Sequence, residues 1–327
     1  MKSFRWGIIG LGNIAQRFAS DLNCVKGGEL YAVASRSGDK AKTFAEKNNA
    51  QAYYDSYLAL AKDPNVEVVY IATPHVYHAE HTLMCLKHNK AVLCEKPIAM
   101  NAHQFKTMED AAKANRCFLM EGLWTNFMPH LQKVYELCQQ KTYGRCLKVE
   151  ADFSFKAEFD PSKRLFNKDL GGGALLDIGI YPVYLALKLL GLPDGIEASC
   201  EYSSTGVDVS NQIDFSYSNG ASAELSSSFL KTTPSKAKVY FEQATVELGS
   251  RFHETDQLSI KTKTETQSLD FNYPDNGYQF EIIHTQNCLD QRRLESDEMP
   301  LKSSFELIST LDKIRKIIGL VYKEDSI

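Results

Sequence analysis

The 327-residue chain has little that marks the specialised classes of protein. It carries 37 Lys and Arg against 41 Asp and Glu, a formal net charge of -4, and neither sign gathers into long blocks. A general nucleic-acid binder shows a basic excess or stripe, so a nucleic-acid partner is not expected. No stretch approaches the roughly 20 uninterrupted apolar residues needed to span a bilayer, and no membrane partner is expected. The start, Met1-Lys2-Ser3-Phe4-Arg5-Trp6, enters an apolar run broken by Gly10 and Gly12, with no cleavage-like site behind it. It reads as a first strand rather than a signal peptide, and the expected location is cytoplasmic. Eight cysteines are scattered without a CxxC pair, which points to reduced thiols rather than a disulfide framework. Internal repeats and long low-complexity linkers are absent.

What is present is ordinary globular material, 43% hydrophobic and 24% charged, in a length that suits two domains of about 150 residues each. The first third alternates short apolar runs with amphipathic stretches, the pattern of βα units around a parallel sheet. Strands are predicted at 4–10, 29–35, 66–73, 91–95 and 117–121, and helices at 14–22, 40–48, 56–61, 78–88 and 102–115. From about residue 144 longer alternating runs take over, at 148–155, 196–202, 212–217, 221–229 and 238–247, punctuated by turns such as Ser218-Asn219-Gly220. This half reads as a mainly antiparallel sheet with hairpins, interrupted by helices at 174–190, 278–289 and 303–318. The boundary is placed between domains 1–122 and 123–327.

Phe4 to Gly10 runs into Gly10-Leu11-Gly12-Asn13-Ile14-Ala15, a GxGxxA turn opening a helix after a strand. Glycines there allow a tight turn and close approach of a pyrophosphate to the amides of a helix N-terminus. The second strand ends at Ser35-Arg36, where an acidic residue would hold the ribose 2'-hydroxyl of NAD. A hydroxyl and a guanidinium suit a 2'-phosphate instead, so NADP is favoured, although Asp39 leaves NAD possible. Glu95-Lys96-Pro97 closes a strand at the sheet edge where ligands of open α/β sheets bind, which makes Lys96 a catalytic candidate. After the triple glycine Gly171-Gly172-Gly173, which lets another group approach closely, Asp177 and Tyr181 stand four apart on one predicted helix face. Pro182 is expected to kink that helix or mark its distorted first turns. His75, His78 and His81 recur every three residues, but no Cys or acidic cluster completes a ligand set, and no metal is expected.

Taken together, the GxGxxA strand, Ala72-Thr73-Pro74 with His75 and His78 following, Glu95-Lys96-Pro97 and GGGALLDIGIYP resemble the glucose-fructose oxidoreductase and inositol dehydrogenase (Gfo/Idh/MocA) family over nearly the whole chain. The resemblance implies an α/β fold, an N-terminal doubly wound Rossmann domain joined to a C-terminal α/β domain whose large, mainly antiparallel open sheet covers the active site and builds a dimer. It implies a homodimer or a dimer of dimers. Tyr181 is similar to the branch with Tyr at this place, the dimeric dihydrodiol dehydrogenases and NADP-dependent D-xylose dehydrogenases. The implied activity is hydride transfer between NADP and a sugar, cyclic polyol or trans-dihydrodiol hydroxyl. Tyr181 acts as general acid/base, Lys96 lowers its pKa from the free value of roughly 10, and Asp177 orients the hydroxyl. The cofactor set is then Gly10, Gly12, Asn13, Ile14, Ser35, Arg36, Thr73, Pro74, His75, His78, Glu95, Lys96 and Trp124, with Arg164 and Phe166 lining the substrate pocket. Asn126 stands where the family segment commonly has Arg, and His75 where many relatives have Asn. A keto-sugar reductase working in reverse, or a non-catalytic NADP-sensing regulator, are the competing readings.

Overall fold

A computed structural model describes residues 2–274 and 276–326. The chain forms two compact units, Met1–Phe127 with Pro274–Ile308, and Met128–Tyr273 with Ser309–Ile327.

The first unit is built on β1 (Phe4–Ile9), α1 (Asn13–Leu22), β2 (Gly28–Ala34), α2 (Gly38–Asn48), β3 (Ala52–Tyr54), α3 (Tyr57–Lys62), β4 (Val68–Ile71), α4 (His78–Lys87), β5 (Ala91–Glu95), α5 (Ala102–Asn115) and β6 (Leu119–Gly122). The six strands are parallel in the order β3-β2-β1-β4-β5-β6. Both faces are covered by helices, so β4, Val68-Val69-Tyr70-Ile71, is buried throughout and reads as a continuous apolar run rather than an alternating one. Winding reverses between β1 and β4, and the carboxyl ends of those two strands open the crevice where doubly wound sheets take ligands. β3 was not anticipated, because two half-buried residues flanking the exposed Tyr53 are too few to carry a period.

The second unit begins with α6 (Pro129–Gln139) and β7 (Cys146–Ser154). A π-helical turn, Leu175–Gly179, then continues into α7 (Ile180–Leu190), followed by β8 (Gly195–Tyr202), β9 (Asp208–Ser216), β10 (Ser222–Ser228), β11 (Ala237–Phe241), β12 (Ala244–Leu248), β13 (Gln257–Thr262) and β14 (Thr266–Asp270). These eight strands run β14-β13-β12-β11-β7-β10-β9-β8, and only the β7–β10 pair is parallel. Alternation sorts the faces. Val149, Ala151, Ile213, Phe215, Leu225, Val239 and Val246 point into the core, where α7 lies on β7 and β10, while Glu150, Gln212, Glu224 and Lys238 point away. The run expected at 238–247 is two strands, because the chain reverses at Glu242-Gln243 and pairs Tyr240 with Thr245. β14 escaped prediction as a polar, mostly exposed edge strand. The stretch Lys168–Leu190 is long and apolar enough to cross a bilayer, with mean hydropathy 1.5, yet 83% of its most apolar window is buried inside the protein.

Where the sequence reading assigned all of 123–327 to the second domain, residues 274–308 cluster with the first unit. They carry α8 (Tyr278–Asp290) and the start of α9 (Leu301–Ile318). The buried Asp21 carboxylate of α1 explains the return: it accepts the Tyr278 N–H (2.8 Å) and the Asn276 side-chain amide (2.7 Å), closing the α8 N-terminus. Phe18 adds an aromatic seat, stacked on Tyr70 at 3.6 Å and edge-on to Tyr278 at 6.3 Å.

Candidate functional site

The turn after β1 meets the requirements of a phosphate cradle. Gly10 has φ +88°, and a Cβ there would sit 2.7 Å from the Ala72 carbonyl oxygen, so the protein itself demands glycine. Gly12 is different: a Cβ would meet nothing within 4 Å. Its side-chain space is open at the N-cap of α1, where no side chain caps the helix and no acid occupies the first turn. Asn13 is exposed and Ile14 half-buried beside it, while Ala15 packs inward. Amides, helix dipole and vacant space together fit an anion.

At the end of β2, Ser35 is buried and its hydroxyl accepts the Ser37 N–H (3.3 Å). Arg36 is exposed and lies against the Tyr57 hydroxyl of α3. His81 of α4 stands beside them, its ring 4.7 Å from Tyr57 and 5.8 Å from Tyr77, its Nδ1 3.0 Å from Thr73 Oγ1. Burial and the Arg36 charge pull His81 down to about 4. Tyr57 and His81 were missed as neighbours of Arg36, because α3 and α4 bring them there and no local spacing signals it.

The β4 and β5 ends are locked to each other. His78 is fully buried, with Nε2 2.8 Å from the Thr73 carbonyl and Nδ1 2.8 Å from the Pro97 carbonyl. Burial takes it down to about 4 against these two acceptors, which favour the charged ring. It therefore has no surface for a cofactor, contrary to the sequence expectation, and holds Thr73 and Pro97 in place instead. His75 is 5% exposed, and its ring meets His78 edge-on at 5.7 Å, beside the half-buried Pro74. The Lys96-Pro97 bond is cis. Glu95 also turns inward: one carboxylate oxygen accepts from the Tyr70 hydroxyl and the other from the Lys96 N–H (3.2 Å). Beneath this loop Glu121, fully buried on β6, accepts the Ile98 N–H (3.0 Å), and burial lifts its carboxyl to about 7. Lys96 is half-buried among inward-facing neighbours. Trp124 stacks on Tyr278 at 4.9 Å, and the buried Asn126 donates to the Glu298 carbonyl (3.2 Å).

In the second unit the triple glycine admits the protein's own groups, backbone at Gly172 and a side chain at Gly173. A Cβ on Gly172 would lie 2.4 Å from the Arg164 carbonyl oxygen, and one on Gly173, at φ +129°, would lie 2.2 Å from Asp208 Oδ1. Asp208, wholly buried, accepts the Leu175 N–H (2.6 Å) and so caps the π turn from a distant strand. That turn carries Asp177, whose Oδ1 is 3.1 Å from Arg164 Nη1. Of the two outcomes expected at Pro182, a kink or distorted first turns, the helix shows the second, a π turn just ahead of the proline. Tyr181 follows at the head of α7, 6% exposed, its ring 5.4 Å from Phe153 and 5.5 Å from His253. Phe153 and His253 stack on each other at 3.9 Å, a ring pair the sequence did not signal. Phe166 is 3% exposed and joins Phe159 and Phe229 along a 420 Å³ cavity.

Residues 4–123 match the oxidoreductase family with an NAD-binding Rossmann fold, and 131–247 match the GFO/IDH/MocA C-terminal domain. The chain is 33% identical to the trans-1,2-dihydrobenzene-1,2-diol dehydrogenase of Mus musculus, covering 99% of both sequences. The chain belongs to the GFO/IDH/MocA oxidoreductase family. It is also 31% identical to the D-xylose 1-dehydrogenase (NADP(+)) of Hypocrea jecorina, over 98% of this chain and 94% of that one. A solved aldose-aldose oxidoreductase from Caulobacter crescentus shares the fold, with TM-score 0.89 and 23% identity over 97% of this chain and 98% of its own. This member of the GFO/IDH/MocA family is accordingly an NAD(P)-dependent dehydrogenase. The open space at Gly12, the uncapped α1 and the exposed Arg36 fit the nicotinamide dinucleotide that the family binds.

Proposed function

We propose that the enzyme is an NADP-dependent dehydrogenase of a sugar, cyclic polyol or trans-dihydrodiol hydroxyl, working through Tyr181, Asp177 and Lys96. The observation that carries the reading is the π turn into α7, which sets a carboxylate already paired with Arg164 one turn before a nearly buried phenol. Full-length likeness to dehydrogenases named for a dihydrodiol and for D-xylose supports the substrate class. The exposed Arg36 beside Tyr57 supports NADP, since a guanidinium and a phenol both bond a 2'-phosphate.

When bound, the nicotinamide accepts the hydride. The Tyr181 phenolate takes the hydroxyl proton in oxidation, and the phenol so formed returns it in reduction. A free phenol holds its proton up to pH of roughly 10, so the Lys96 ammonium serves to stabilise the phenolate. Asp177, held by Arg164, orients the substrate hydroxyl and Lys96 toward the base. Thr73, Pro74, His75 and Trp124 are proposed to face the cofactor, and Phe166 and Arg164 to border the substrate. The enzyme is proposed to be a cytoplasmic homodimer or dimer of dimers, in keeping with eight free cysteines.

Tyr181→Phe tests the assignment. Turnover is expected to fall by about 10²- to 10⁴-fold, the usual contribution of a general acid/base, while fluorescence titration shows NADPH affinity within twofold of wild type. Full activity of this variant on a sugar or dihydrodiol refutes the role.

A further inference from the structure

Beyond Tyr278, α8 carries two side chains for which the hydride chemistry has no use. His284 and Cys288 are four apart, and hence on one face of the helix. Asp297 joins them from the loop that precedes α9. Cys288 Sγ lies 3.4 Å from His284 Nε2, and Asp297 Oδ1 lies 3.6 Å from the same nitrogen. All three donor atoms fall within 4.8 Å of one another. Tetrahedral zinc, with Zn–S about 2.3 Å and Zn–N about 2.0–2.1 Å, separates its ligand atoms by roughly 3.3–3.6 Å. Two edges of such a tetrahedron are therefore already in place. Only the edge between sulfur and carboxylate has to close, and it closes from an Asp297 side chain that is 59% exposed.

The surroundings support ligation. Burial and the Asp297 carboxylate push the Cys288 thiol up to about 11, and the Asp297 N–H bonded to Sγ works against them, a donor that steadies the thiolate once a metal holds it. Arg293 holds Asp297 Oδ2, which leaves Oδ1 turned toward His284. Ser296 Oγ now stands 2.7 Å from His284 Nε2. It also accepts the N–H groups of Glu298 (3.1 Å) and Met299 (2.8 Å), so it keeps two partners when the imidazole turns to a metal. Thiolate and imidazole select a borderline ion such as Zn²⁺ over Mg²⁺ or Ca²⁺.

We propose that His284, Cys288 and Asp297 form a zinc-binding site with water in the fourth position, chemically separate from the dehydrogenase residues. On binding, the Cys288 S–H bond breaks, its proton goes to solvent and its electron pair bonds the metal. The metal ties α8 to the 293–299 loop and so braces the entry to α9.

The reduced, metal-stripped full chain is titrated with Co²⁺ and then Zn²⁺. One equivalent of Co²⁺ is expected to give a near-ultraviolet thiolate charge-transfer band and the intense visible bands of four-coordinate cobalt, both removed by one equivalent of Zn²⁺. Cys288→Ser is expected to lose the charge-transfer band, and His284→Gln to weaken the visible bands at least several-fold, with metal-free turnover and NADPH binding unchanged in both. Absence of the thiolate band in the wild-type protein overturns the site. So does its persistence in Cys288→Ser, which assigns the metal to another cysteine, or an unaltered spectrum in His284→Gln.

Discussion

Arg36 shows how far a single residue speaks for itself. Its place at the end of the second strand, without an acid beside it, is legible as a 2'-phosphate contact because that geometry is local to one βα unit. Its companions Tyr57 and His81 are not legible, since α3 and α4 bring them in from elsewhere. Replacing Ser35→Asp with Arg36→Ala is expected to weaken NADPH binding about 10- to 100-fold, the value of a charge-assisted bond to phosphate, and to leave NADH binding equal or stronger. Fluorescence titration with both coenzymes measures this, and unchanged NADPH affinity sinks the assignment. His78 makes the opposite point. Three histidines at regular spacing suggest a shared function, but the rings part company: His78 takes two backbone carbonyls while His81 turns to Thr73 and two tyrosines.

Among elements, the segment 174–190 was recognisable as a helix from its apolar content, and its glycine-rich entry as a place of close approach. Which group approaches was not legible, because Arg164, Asn167 and Asp208 reach it through the tertiary fold. Pro182 is the third residue of α7 and has no N–H for the carbonyl four residues back, at Ile178. The π turn ends immediately before α7, so the missing bond falls where the helix has already changed its register. Gly173→Ala forces a Cβ into Asp208 Oδ1 at a backbone angle that L residues avoid. A loss of about 2–4 kcal/mol in urea unfolding is expected, with a loss below 0.5 kcal/mol refuting the close approach.

For the molecule as a whole, buried titratable groups set a pH window. His78, His81 and His130 are each held near 4 by burial, so the unfolded chain takes up protons below 6.5 that the folded one refuses. Their contribution is complete above pH 6.5 and is lost as the pH falls toward 4. Glu121 works in the other direction. With its carboxyl raised from 4.5 to about 7, the folded state keeps a proton that the unfolded state releases, so its contribution is complete below 4.5 and is lost as the pH rises through 7. Asp208 and Glu281, fully buried with raised carboxyls, act in the same sense as Glu121, so the two sets of groups oppose each other across this range. Glu121→Gln is expected to gain stability relative to wild type from pH 5 to 8, on the order of 1–3 kcal/mol. A constant difference across that range means Glu121 does not titrate there. Light scattering at micromolar concentration is expected to report at least twice the chain mass, and a monomer counts against the proposed assembly.

The sequence by itself determined the local matters: the GxGxxA turn, the charge at the end of β2, the parallel and antiparallel halves, and the resemblance that names the chemistry. The structural ones follow from local patterns, where covalent spacing dictates geometry, and the resemblance rests on four such motifs taken together along nearly the whole chain. Only the tertiary structure decided that residues 274–308 return to the first unit, that His78 and Glu95 face inward, and that Asp208 caps the turn bearing Asp177. Those outcomes depend on buried polar groups meeting partners far along the chain, as Asp21 meets Tyr278, and no spacing within a single element encodes such a pairing.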